Sequence, residues 1–148
     1  MSNLIVVAGL PGSGKTHYLE KLRADRVVRY CYDDFQHKAY GLDHDPRLSR
    51  HFGPLISKLK REHNVAISDI LFCQEDYLRL FLRSVYSILP DVDTEFVFFE
   101  NDPSKAISNI KRRSREGFVQ KELEFVRANS PTYKFPTVRQ LEIYSIED

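Results

Sequence analysis

The sequence has no strong excess of charge of either sign: 22 Lys and Arg stand against 21 Asp and Glu, a formal net charge of +1. Net charge therefore points to neither a nucleic acid nor a membrane, and any such argument has to rest on local clusters. Cysteine is scarce. Cys31 and Cys73 lie far apart, without metal-site spacing and without a secretory leader, so they read as small buried residues of a reducing compartment, not as a disulfide. No apolar run approaches the roughly 20 residues of a membrane-spanning helix. The apolar stretch at the start is too short for a signal peptide, and a cytoplasmic protein without a membrane partner is expected. Internal repeats and low-complexity segments are also missing, and no patch of sequence sets an oligomeric state. The 148 residues, 42% hydrophobic and 29% charged, are expected to fold as one domain over 1–148.

What is present is an alternation of short β-rich runs and helical stretches. Asn3–Ala8 is a near-continuous apolar run suited to a buried parallel strand, and Thr16–Ala24 carries Leu19 and Leu22 at helical spacing. Arg26–Tyr32, Asn64–Ile70, Thr94–Phe99 and Leu141–Ile146 read as further strands. Pro46–Glu62 reads as a helix in which Gly53-Pro54 signals a kink or a late start. Gln74–Leu89 repeats Leu78, Phe81, Leu82 and Val85 as a helix, and Pro90 ends it. Asp102-Pro103 looks like an N-cap followed by proline at the first helical position, and Val119–Ala128 is one more short helix. Strands alternating with helices imply a doubly wound, mostly parallel sheet of about five strands, with helices on both faces and ligands at the C-terminal strand ends.

The strongest motif is GLPGSGKT at residues 9–16, which satisfies G-x-x-x-x-G-K-[ST] with Gly9, Gly14, Lys15 and Thr16 at the required places. The loop Gly9, Pro11, Gly12, Ser13, Gly14 would turn backbone N–H groups inward around phosphate oxygens, with the following helix offering its positive end. Lys15 would reach the β- and γ-phosphates and the Thr16 hydroxyl would ligate Mg²⁺, which makes ATP and Mg²⁺ the expected cofactors.

Three acids fall at predicted strand ends. Asp33-Asp34 closes the second strand, and on a parallel sheet a neighbouring strand end lies close to the loop. A carboxylate there would take the proton of an acceptor hydroxyl and align it with the γ-phosphorus. Spacing leaves open which of the two does so, and a helix-initiating turn is the competing reading. Asp69 closes VAISD at 65–69, the shape of a Walker B element whose acid holds Mg²⁺ directly or through water.

GLPGSGKTHYLEKL, YCYDDFQ, VAISDILF and SNIKRRSREG together resemble the P-loop kinase domain of bacteriophage-type polynucleotide 5′-kinases and their small AAA-type relatives, zeta-toxin-like kinases among them. The resemblance runs from residue 3 to about residue 128 and implies a P-loop NTPase fold with ATP on the loop and the acceptor hydroxyl opposite. It implies Asp33 as the catalytic acid, Arg112 as an arginine of a lid near the transferred phosphate, and Asp69 in the substrate and metal region. It departs at Gln36, where polynucleotide kinases carry an arginine that grips the acceptor's phosphate.

Lys111, Arg112, Arg113 and Arg115 cluster before Glu116-Gly117, and a lid around 109–118 with a glycine hinge would exclude water during transfer. Arg112 and Arg115, three apart on one helical face, are the pair read as meeting the nucleotide; a solvated helix end is the alternative. Arg47, Arg50, Lys58, Lys60 and Arg61 read either as a guide for a charged acceptor or as the wet face of a helix. His37, His44 and His51 recur at seven-residue intervals without a supporting Cys or carboxylate pair, which argues against a metal site.

The reading is a kinase that moves phosphate from a nucleoside triphosphate to a hydroxyl acceptor: a nucleic acid end, a nucleoside or nucleotide, or another small molecule. The alternative is a non-catalytic nucleotide-binding module acting through a partner. No Asn-Lys-x-Asp element supports a GTP switch, and Ile70 stands where a motor ATPase has Glu beside its Walker B acid.

Overall fold

The computed structural model describes residues 3–34, 45–113, 119–133 and 140–141. Five strands, β1 (Asn3–Ala8), β2 (Tyr30–Asp34), β3 (Val65–Asp69), β4 (Asp93–Phe99) and β5 (Gln140–Leu141), form one sheet in the order β2-β3-β1-β4-β5. Every pairing is parallel. Leu4 to Ala8 and all of β3 are buried. Because successive strand residues point to opposite faces, unbroken burial means that both faces of these central strands are covered.

The covering elements are α1 (Lys15–Ala24), α2 (Phe52–Lys60), α3 (Glu75–Ile88), α4 (Pro103–Arg113) and α5 (Val119–Asn129). The path from β1 to β2 runs across the sheet in the opposite direction to the paths from β2 to β3 and from β3 to β4. Right-handed crossovers then set α1 on the face opposite α2 and α3. Aromatic contacts agree with that division. Phe81 of α3 meets Phe72 at 4.9 Å and Phe52 of α2 at 6.4 Å, whereas Tyr18 of α1 packs edge-on against Phe99 of β4 at 5.9 Å.

The helices that the periodicity predicts are present, with their apolar positions inside: Leu19 and Leu22 in α1; Phe52, Leu55, Ile56 and Leu59 in α2; Leu78, Phe81 and Val85 in α3. Two starts shift by several residues, each for a local reason, and the last strand is described only in part. β2 starts at Tyr30, not Arg26, because the chain is still closing α1: Arg26 takes φ 58 and the Val27 N–H bonds back to the Leu22 carbonyl. α2 starts late, at Phe52, after a short 3₁₀ turn at Pro46–Leu48 whose first N–H is capped by Asp45. Pro54 is then the third residue of α2, where a helix needs no donor. The last strand is observed at Gln140–Leu141, and the rest of its expected span lies outside the described residues.

One placement corrects the sequence reading. β2 is not the neighbour of β1; β3 is inserted between them, so Asp33 reaches the loop from a strand farther out.

Candidate functional site

The turn from β1 to α1 is built by conformations that only glycine takes cheaply. Gly12 has φ +82 and Gly14, just before α1, has φ +98. At Gly12 space is as restrictive as φ: a Cβ would lie 2.4 Å from the Ala106 carbonyl oxygen and 2.9 Å from Ile110. The same residue is pinned by α4, since the buried Asn109 side-chain amide donates to the Gly12 carbonyl at 2.9 Å. The loop is thus clamped between its own helix and α4. Gly12→Ala is expected to destabilise the fold by about 3 kcal/mol, combining left-handed strain with overpacking against backbone. Gly53→Ala, where a Cβ meets nothing within 4 Å, should be neutral or stabilising by up to about 1 kcal/mol. Urea denaturation of both variants checks the contrast.

Lys15 is buried, and its ammonium donates to the carbonyls of Gly9 at 2.8 Å and Leu10 at 2.9 Å. Burial pushes its pKa down, while the nearby Asp33 and Glu122 carboxylates pull it up and Arg113 pushes it down. Next along, the exposed Thr16 hydroxyl donates to Asp33 Oδ2 at 2.5 Å. Asp33 stands level with Ser68 of β3, and Ser68 with Val7 of β1, so the three strand ends converge beside the loop. Asp69 is held on both oxygens: Oδ1 accepts from the Leu71 N–H at 2.9 Å and Oδ2 from the Tyr77 hydroxyl at 3.1 Å. Sequence reasoning paired Thr16 with Asp69; the structure brings Thr16 directly to Asp33.

Among the described residues, two buried hydroxyl oxygens, Ser13 Oγ in the loop and Ser68 Oγ, have no hydrogen-bond partner. A Cβ on Gly9 would lie 2.4 Å from Ser13 Oγ. A tightly packed glycine turn with an orphaned hydroxyl two residues from a lysine suits phosphate oxygens. Among the described residues no group of three His, Cys, Asp or Glu could cage a metal ion. Mg²⁺ needs no such cage, being bound through one or two protein oxygens together with phosphates and water.

The basic cluster divides. Arg112 is exposed at the last turn of α4, and Arg115 lies outside the described residues, as do the rest of the expected lid from 114 to 118 and Gln36. Arg113 turns inward and forms an ion pair with the buried Glu122 of α5. Of the other cations, Arg47 pairs with Asp45 at 2.6 Å on the surface. Lys58, Lys60 and Arg61 end α2, which places them by the start of β3, at the end of the sheet away from the loop. They cannot guide an acceptor to Thr16.

Sequence reasoning missed four contributors: Asn109, the inward role of Arg113, its partner Glu122, and Tyr133. The Tyr133 hydroxyl sits 2.5 Å from the Phe99 carbonyl and 3.3 Å from that of Ala8, tying together the ends of β4 and β1 where the loop begins. Burial drives its pKa well up. No periodicity or motif marks these residues, because each acts through tertiary contacts that neighbouring residues do not announce.

Both cysteines are free thiols. Cys73 is buried behind the loop, and burial outweighs Lys15 and the Gly9 N–H to push its pKa to about 12; burial likewise raises Cys31 to about 11. At pH 8 the thiolate fractions should be roughly a thousandfold and a hundredfold below those of unperturbed thiols. Modification by a disulfide reagent should accordingly be slow for both in the native protein and fast in denaturant, with Cys73 the slower.

A parallel sheet whose first strand runs through a glycine-rich, lysine-bearing loop into a helix, with acids at adjacent strand ends, defines a P-loop fold of the kinase-like kind. Residues 4–130 match the AAA_33 family model, described as an AAA domain, and the chain belongs to that family. Among curated proteins it is similar to the uncharacterized protein R277 of Acanthamoeba polyphaga mimivirus, 27% identical over 136 residues, 90% of this chain and 88% of that one. Among solved structures it resembles a gluconokinase from Sinorhizobium meliloti, with TM-score 0.60 and 16% identity over 97% of this chain and 84% of that one. It also resembles Chaetomium thermophilum Kti12 in complex with ADP-AlF3, with TM-score 0.51 and 20% identity over 94% and 88% of the respective chains. At these identities the two structures establish the fold.

Proposed function

We propose that the protein transfers the γ-phosphate of ATP to a hydroxyl acceptor. The observation that carries this reading is the contact between Thr16 and Asp33, which brings a carboxylate from the second strand to the loop lysine's neighbour. A carboxylate at that place supplies the base that a transfer site needs for the acceptor hydroxyl.

In this reading the loop amides and the buried Ser13 hydroxyl bind donor phosphates, and the Lys15 ammonium leaves the Gly9 and Leu10 carbonyls for the β- and γ-phosphates. Mg²⁺, when bound, neutralises charge on the β- and γ-oxygens. Thr16 Oγ would contact it directly, and Asp69, with both oxygens already engaged, through water. Asp33 aligns the acceptor hydroxyl and takes its proton as the acceptor oxygen bonds to the γ-phosphorus. The bond from that phosphorus to the β-γ bridging oxygen breaks, and ADP leaves with the electron pair. Arg112 acts from the solvent side, Arg115 is read from the sequence as its companion, and Arg113 holds α4 and α5 together.

The test is incubation with γ-labelled ATP, Mg²⁺ and a panel of acceptors: 5′-hydroxyl oligonucleotides, nucleosides, nucleotides and small polyols. Labelling of one acceptor class is expected, and Lys15→Ala should reduce it by at least about 100-fold. Label on no acceptor, with nucleotide binding intact, would overturn the kinase reading in favour of a nucleotide-dependent module.

A further inference from the structure

At the end of the sheet opposite the phosphate loop, the connections leaving α1 and α2 run side by side, joined by the Arg29 N–H to the Asn64 carbonyl at 3.0 Å. Between them lies a cavity of about 510 Å³, whose charged lining is Arg23, Arg26, Arg29, Glu62 and His63. Three guanidinium groups face one carboxylate. The basic character continues past the cavity: Lys58 lies 4.6 Å and Arg29 5.6 Å from the centroid of the Tyr30 ring, and His63 meets the same ring at 5.4 Å. Tyr30 thereby fixes cations from both connections on one platform. His63 reports the resulting field, since burial and then Arg29, Lys58 and Arg61 depress its pKa.

Two further observations point to a ligand. Among the described residues, no ion pair engages Arg23, Arg26, Arg29 or Arg61, so the fold gathers these cations with Glu62 as the one acidic group in the cavity lining. The only non-glycine residues with positive φ among the described ones, Arg26 at φ 58 and Glu62 at φ 63, both line this cavity. Each ends a helix where glycine would be cheaper, so the strain is retained at positions that carry charge.

We propose that this cavity binds the phosphodiester backbone of a single-stranded nucleic acid, with its phosphates seated among Arg23, Arg26 and Arg29. A strand is favoured over a small free anion because the cations run on beyond the cavity to Lys58 and Arg61, a track longer than one phosphate group. The surface lies at the opposite strand ends from Lys15 and Thr16. It stands independently of the phosphoryl-transfer reading.

The test is fluorescence anisotropy of a labelled single-stranded oligonucleotide of about 12 residues at low salt, using the full chain. Saturable binding is expected. Arg23→Ala/Arg26→Gly/Arg29→Ala should weaken it by roughly 30-fold and flatten the plot of log affinity against log salt by about two units. Arg26→Gly alone should weaken binding several-fold while leaving thermal stability equal or higher, which separates lost charge from lost fold. Lys15→Ala should bind as the unaltered chain does. Absence of saturable binding, or binding that Lys15→Ala abolishes and the triple variant keeps, overturns the proposal. Equal competition by free tripolyphosphate at matched phosphate concentration overturns the strand and assigns the cavity to a small anion.

Discussion

Asp33→Asn should lower the rate of phosphoryl transfer by about 100-fold or more while changing the affinity for ATP less than about threefold. Asparagine keeps the shape of the side chain and can still accept from the Thr16 hydroxyl, now 2.5 Å from Asp33 Oδ2. What it cannot do is take a proton. The loss should therefore appear in kcat, not in donor binding, and the concentration of Mg²⁺ giving half-maximal rate should hardly move. A large rise in that Mg²⁺ requirement with little change at saturation would reassign Asp33 to the metal, which its contact with Thr16 also permits. Full transfer activity in the variant would remove Asp33 from the chemistry altogether. Thr16→Ala supplies the contrast, because removing that hydroxyl should raise the Mg²⁺ requirement first.

The phosphate loop, the parallel α/β class and the acids at strand ends were legible in the sequence because each is written in consecutive residues. GLPGSGKT dictates its own turn, and apolar runs such as Leu4–Ala8 and Val65–Ile67 announce strands buried on both faces. Strand order was not legible. Nothing local says that β3 enters between β1 and β2, since that follows from the direction of each crossover. The same gap hid the fate of the cations. Lys58 and Arg61 look like companions of the acids until the direction of α2 carries them to the far end of the sheet. Tyr133 lies beyond the stretch in which motifs speak, and its closure of β1 against β4 depends on a contact spanning 125 residues. Arg112 and Arg113 differ by one position and 100° of helix, enough to leave one exposed and the other paired inside.

Breaking the Arg113–Glu122 pair from one side should be among the most damaging single changes to stability. The side chains are 21% and 6% exposed, so neither charge is well solvated, and the pair joins the last residue of α4 to the first turn of α5. Glu122→Gln would take the Glu122 charge from the partly buried Arg113 guanidinium, at a loss of about 3 kcal/mol in urea denaturation. Replacing both, as Arg113→Met/Glu122→Leu, removes the charges together and should recover most of that loss, because apolar side chains of similar size need no desolvation. The two residues act on Lys15 with opposite sign, Arg113 lowering its proton affinity and Glu122 raising it. In the double variant these influences vanish together, so transfer should stay within about threefold of the unaltered protein at neutral pH. A loss below about 0.5 kcal/mol for Glu122→Gln would show that the pair is effectively solvated. A double variant that is stable yet inactive would move Arg113 from holding α4 and α5 together into direct contact with the transferred phosphate.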